Sequence, residues 1–178
     1  MSAMEAKRPG RAELALLAVL FAALALRAWN ALAHGIDHFD EGVYAFSALG
    51  IADPSAPLQL FPGEFRFSPP VFFTLIGAVA KVFHLQTDAA AIALNVALGT
   101  LTVAALWWIG RAWFGASAGL AAAALLGFNE YHVALSRTGL TDVAFSLFFL
   151  LVFHATPTAS PASNASFKLR RSRASISA

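Results

Sequence analysis

From Leu14 to Leu26 the chain carries no polar side chain at all. With its flanks, Glu13 to Ala33, the run holds about 20 residues. At about 1.5 Å per helical residue that crosses a hydrocarbon core of about 30 Å. A backbone in lipid must bond to itself, so a run like this is helical. Further apolar runs follow. The chain is 58% apolar and 12% charged, whereas soluble domains run at about 45–50% and about 25%. The sequence therefore predicts an all-α integral membrane protein with about four to five hydrophobic helices.

Lys7, Arg8 and Arg11 precede the first run. The positive-inside rule puts the N-terminus in the cytoplasm and the next loop, about His34 to Ser68, outside. Ala31-Leu32-Ala33 imitates a signal-peptidase site, but the spans that follow favour a retained anchor. Near the end of the run stand Arg27 and Asn30, where an arginine snorkels to the interface. No stretch interleaves basic and aromatic residues over a polar surface, so nucleic acid is not an expected partner. The chain has no cysteine, which excludes disulfides, thiol catalysis and cysteine-bound metal.

The extracytoplasmic loop carries a short amphipathic helix, Glu41 to Gly50, with Val43, Phe46 and Leu49 on one apolar edge. Such a helix lies along a membrane surface. Pro69-Pro70 opens a second segment that runs to about His84; proline suits a helix start. A third runs from about Ala89 to Ile109. Arg111 to Gly115 reads as a tight connection, and a fourth segment runs from Ala116 to about Phe128. A fifth apolar run, Val143 to Phe153, has only about 11 residues. If every segment crosses, Asp40 and Asp142 fall on opposite sides and Arg111 lies outside. A shallow or re-entrant second segment, only about 24 Å long, brings both acids outside and Arg111 inside.

Three regions follow: a cytoplasmic N-terminus (1–12), a transmembrane region (13–153) and a Ser-, Thr- and Pro-rich tail (154–178) that cannot build a core. The composition changes in the middle of the fifth run. That predicts a truncated or frameshifted reading frame, testable in the downstream DNA.

Two polar islands stand out. Asp40-Glu41 lies 14 residues past the first apolar run. A carboxylate there suits general-base work on an acceptor hydroxyl or amine, and Tyr44, one turn on, shares the face of Asp40. The plainer reading is helix capping, with Asp40 as N-cap and Glu41 in the first turn; both roles can coexist. A divalent metal at the pair lacks a third ligand at a recognisable spacing. His34 and His38 are nearby, but loop histidines are more often solvated than ligating. The second island is Ser136-Arg137-Thr138-Gly139-Leu140-Thr141-Asp142. A guanidinium there matches phosphate oxygens in a fork, or the island is simply an interfacial loop with Thr141 or Asp142 capping the next helix. Trp29, Trp107, Trp108 and Trp113 read as an aromatic belt. Gly115 and Gly119 suggest close helix packing.

Taken in order, these features resemble the GT-C membrane glycosyltransferases. They look most like the group of dolichyl-phosphate-mannose protein mannosyltransferases and lipid A aminoarabinose transferases. The carrying residues are Phe39-Asp40-Glu41-Gly42-Val43-Tyr44, Pro69-Pro70-Val71-Phe72-Phe73, Gly110-Arg111-Ala112-Trp113-Phe114-Gly115, and Ser136-Arg137 followed by Asp142. The resemblance implies transfer of a sugar, with inversion, from a polyprenyl-phosphate-linked donor to an acceptor lipid, glycan or protein on the outer face of the cell (inner) membrane. It implies that Asp40 is the base or acceptor-positioning acid, Glu41 its partner and Asp142 the second-loop acid. Tyr44, Arg137 and Arg27 are expected to touch substrate, the two arginines at phosphate. The lipid-linked sugar enters as substrate; no cofactor is certain, and a divalent metal stays open. Family members often carry an ionisable residue directly before the proline pair, where Phe67-Ser68 stands here, and they run to several hundred residues. The alternative class is a non-catalytic polytopic protein or transporter fragment, which would place ionisable groups nearer mid-span.

Overall fold

A computed structural model describes residues 10–53, 55 and 70–158, with side chains up to 156. Seven α-helices and one short 3-10 turn make up the fold, with no strand among the described residues. They are α1 (Arg11–Ala28), the turn Ala31–Ala33, α2 (Phe39–Ala52), α3 (Pro70–Phe83), α4 (Thr87–Phe114), α5 (Ala116–Gly127), α6 (Glu130–Leu135) and α7 (Asp142–Thr158). Arg11–Ala33 and Thr87–Phe114 are long and apolar enough to cross a membrane. The helices α3, α5 and α7 are apolar but shorter.

Helix ends are set by residues that tolerate the left-handed backbone. Asn30 (φ 53°) follows α1, His84 (φ 54°) follows α3 and Gly115 (φ 94°) separates α4 from α5. The expected connection Arg111–Gly115 is shorter than the sequence suggests. Arg111 to Phe114 form the last turn of α4, and Gly115 alone makes the bend. The fifth segment is longer than the apolar run, because α7 continues to Thr158. The remainder of the tail, 159–178, lies outside the described residues, as do Lys7, Arg8 and Pro69.

The chain direction of each helix follows from its contacts. Glu13, at the start of α1, meets Arg111, near the end of α4, at 3.2 Å. So α1 and α4 are antiparallel. Asn95, early in α4, bonds to the Leu140 carbonyl just before α7, while His154, late in α7, meets Trp108 edge-on. So α4 and α7 are parallel. Between α1 and α4 the chain therefore returns to the end it left. Within that detour α2 and α3 run side by side in the same direction, Tyr44 on Phe72 and Ile51 beside Gly77. Asp40, Glu41, Arg137 and Asp142 thus share one end of the bundle, and Arg111 lies at the other with the start of α1. The Arg111–Glu13 pair is exposed on both sides and contributes little stability.

The core packs Phe72, Phe73, Ile76 and Ala80 of α3 with Ala90, Ala91 and Leu98 of α4 and Val143, Ala144 and Leu147 of α7. A second cluster joins Leu16 and Ala23 of α1, Val103 of α4 and Ala123 of α5. The small-residue contact between α4 and α5 is Gly119 against Gly110. A Cβ on Gly119 would stand 2.7 Å from both the Arg111 nitrogen and the Trp107 oxygen. Those are backbone atoms and cannot rotate away. Gly119→Ala should therefore push the hairpin open at a cost of about 1–3 kcal/mol. A fall in thermal midpoint of several degrees in detergent checks this.

In α2 the buried face is Glu41, Ala45, Ser47 and Ala48. The expected edge of Val43, Phe46 and Leu49 is only partly covered, and Phe46 is exposed. Small residues bring α2 close to its neighbours, and Phe46 remains at the surface.

Candidate functional site

The cap of α2 is His38, not Asp40. The His38 Nδ1 accepts from the Asp40 N–H at 3.2 Å. Asp40 thus falls in the first helical turn, where its negative charge suits the helix dipole, and its side chain is about half exposed. Glu41, the next residue, points the other way and is 2% exposed. Its Oε2 accepts the Asp37 N–H at 3.3 Å. The adjacent acids therefore play different parts: one reaches solvent, and one is packed inside. Tyr44 also departs from expectation. It is half-buried with its ring edge-on to Phe72, centroids 5.7 Å apart, so core packing engages it.

Arg27 does not snorkel. It is fully buried, because its stem lies among helices rather than beside open interface. Its Nη1 donates to Ala23 O and Gly127 O, both at 2.9 Å. Nη2 donates to Leu126 O at 3.4 Å and to His132 Nδ1 at 2.8 Å. Nε donates to Ser136 Oγ at 3.3 Å. A guanidinium has five N–H groups, and here each meets a protein acceptor. The cation faces the carbonyls that end α5, where the helix dipole is negative. Nothing remains to hold a phosphate, so the expected substrate contact of Arg27 is replaced by a structural one. Gly99 makes the room: a Cβ there would overlap Ser136 Oγ and lie 3.1 Å from Arg27 Nε.

Arginine only donates, so His132 Nδ1 must be the unprotonated ring nitrogen. Burial first, and the Arg27 charge second, push the His132 pKa down from 6.5 to about 4. The neutral ring is thus the folded form, and the unfolded chain binds the extra proton between about pH 4 and 6.5. Stability from this group is fully present above pH 6.5 and is lost as pH falls toward 4, about 3 kcal/mol at most. Unfolding midpoints measured across that window should fall with pH, and His132→Phe should flatten the fall.

The second island lands beside the first. His34, Gly35, Asp37 and Glu41 line one wall of a cleft of ≈ 200 Å³, and Ala134, Arg137 and Thr138 line the other. The Arg137 Nη2 donates to Trp29 O at 2.9 Å and to His34 Nε2 at 2.8 Å. That leaves part of a partly exposed guanidinium facing the cleft. Gly139 lies against Glu41, close enough that a Cβ would sit 3.4 Å from the Glu41 Cβ. Asp142 is exposed in the first turn of α7 and stands apart from the cleft lining. Beside it an apolar groove of ≈ 480 Å³ runs between α3 and α7, lined by Val71, Phe72, Leu75, Thr141, Phe145 and Phe148, with Ala144. Among the described residues no three His, Asp or Glu side chains converge to hold a metal ion.

Three participants escaped the sequence reading. His34 was weighed only as a metal ligand, and it orients Arg137 instead. His132 gave no signal apart from being a polar residue at the start of a short helix. Asn95 did give one, as an amide inside the apolar third segment.

Residues 68–165 match the family model described as dolichyl-phosphate-mannose-protein mannosyltransferase. The match covers just over half of the 178 residues. The chain belongs to this mannosyltransferase family. No curated protein and no solved structure matches it. The matched stretch takes in α3 to α7, with Arg137 and Asp142, and begins after the acid pair. Membership supports the GT-C-like reading of the bundle and a membrane setting. The expected order of motifs, an acid pair, then a proline-opened helix, then the Ser136–Asp142 island, thus lies partly before and partly inside the family match.

Proposed function

We propose that this chain carries the reacting end of a GT-C glycosyltransferase, which moves a sugar from a polyprenyl-phosphate donor to an acceptor at the outer membrane face. The supporting observation is the shared cleft: two islands far apart in sequence put Glu41 and Arg137 around one opening, and Asp40 precedes Glu41 in the same first turn of α2. The start of α1 and Arg111 lie at the opposite end, which favours an inside N-terminus and an outward site.

Asp40 is the general base. Its exposed carboxylate takes the proton of the acceptor as the acceptor atom attacks the anomeric carbon. The sugar–phosphate C–O bond breaks with inversion, and its electron pair leaves on the polyprenyl phosphate. Arg137 neutralises the charge that grows there. Glu41 fixes the entry to α2 through the Asp37 N–H. The apolar groove between α3 and α7 takes the isoprenoid chain, since it opens beside the polar end and offers almost no hydrogen-bonding surface. Asp142 follows the groove-lining Thr141 and serves the acceptor side.

The test is donor binding by the chain in nanodiscs, with polyprenyl-phosphate mannose as probe. Arg137→Ala should weaken binding about tenfold or more, as expected for loss of a charged hydrogen bond, and Arg137→Lys should recover part of it. Equal affinity in all three proteins would remove Arg137 from the phosphate site.

A further inference from the structure

Asn95 is the ninth residue of α4 and is fully buried. An amide in such a place is costly unless bonded. Its Nδ2 donates to the Thr138 and Leu140 carbonyls, both at 2.6 Å. Two carbonyl partners need two N–H donors, so the orientation of the amide is fixed by its neighbours. Its Oδ1 meets no donor among the described residues. The side chain is thus used for its donors alone.

The two carbonyls flank Gly139, which sits on Ala91 and on the stem of Glu41. Asn95 therefore pegs the middle of the 137–142 strap. Arg137 stands at one end of that strap, tied to Trp29 O and His34. Asp142 stands at the other, opening α7. We propose that Asn95 is a positioning residue of the site: its amide sets the strap against Glu41 and thereby the spacing between Asp40 and Arg137. This rests on the reading that Asp40 and Arg137 serve the two sides of one transfer.

The test compares the 178-residue chain with Asn95→Leu, Asn95→Asp and Asn95→Gln by hydrogen exchange and by transfer from polyprenyl-phosphate mannose. Leucine removes both donors. Aspartate keeps the shape and turns an acceptor toward two carbonyls. Glutamine keeps both donors on a longer arm. Exchange across 138–141 should rise at least tenfold in the leucine and aspartate forms, with 11–28 unchanged, and glutamine should restore much of the protection. Transfer should fall at least tenfold in kcat with donor KM little changed, and glutamine should recover it in part.

Unchanged exchange in the leucine and aspartate forms would overturn the proposal, as would faster exchange without any change in kcat. If leucine unfolds the whole bundle, the aspartate and glutamine pair decides alone. If the unaltered chain transfers no sugar while exchange responds as stated, the glycosyl-transfer reading falls and the hold of Asn95 on the strap stands.

Discussion

Arg27→Met should destabilise the bundle by about 3 kcal/mol or more. Methionine fills much the same volume but donates nothing. Gly127 O and His132 Nδ1 would be left facing a thioether, in a place no water reaches from the arginine side. The loss is not simply that of one bond. Arg27 ties α1 to the end of α5, to α6 and to Ser136, the residue before Arg137. Removing an isolated buried cation normally returns desolvation energy; here the cation is already matched by helix-end carbonyls, so little is returned. Arg27→Lys should recover only part, because a point charge cannot span two carbonyls and an imidazole together. Chemical or thermal unfolding in detergent measures the series. A methionine form as stable as the original would show that the knot is incidental.

Asp40→Asn should lower sugar transfer at least about 100-fold, the smaller end of what a general base contributes. Asparagine keeps the size and the helix position, but it cannot take a proton from the acceptor. The exposure of the two acids decides which one is altered. Asp40 has its side chain about half exposed at the start of α2, whereas Glu41 is packed under Gly139 and holds the Asp37 N–H. Glu41→Gln should therefore cost less transfer than Asp40→Asn. Initial rates with polyprenyl-phosphate mannose check both. The reverse order would move the base to Glu41.

The helices were largely legible because apolar length and proline or glycine punctuation are local properties. The segments read at 69–84, 89–109 and 116–128 correspond to α3, α4 and α5. The boundary at Arg111 was misread, since its Trp and Phe residues look like interface belt but continue a helix whose last turn carries Arg111 over Trp107, 5.1 Å from the ring centre. The sequence did not say which end of the bundle Arg111 occupies relative to the acids, and that shows only in tertiary contacts such as Glu13 with Arg111. The site was half legible. Polar islands in an apolar chain are conspicuous, so Asp40, Glu41 and Arg137 were singled out, and Glu41 and Arg137 do line one cleft. Their separate burial was not, because neighbouring residues on a helix point about 100° apart and only packing says which is covered. Arg27 shows the same limit: an arginine near a span end reads as a snorkel until its five acceptors are seen, and four of those come from residues far along the chain.

The meeting of the two islands is the claim on which the rest depends, and a disulfide tests it most directly. The chain has no cysteine of its own, so Glu41→Cys with Gly139→Cys forms a unique pair. The Cβ of residue 41 and a Cβ placed on residue 139 lie 3.4 Å apart, close to the usual disulfide range of about 3.5–4.5 Å. Mild oxidation in membranes should cross-link this pair nearly completely within one chain, while Asp40→Cys with Gly139→Cys stays mostly free. Failure of the 41–139 pair to close, or equal closure of both pairs, would contradict a single site built from the two islands.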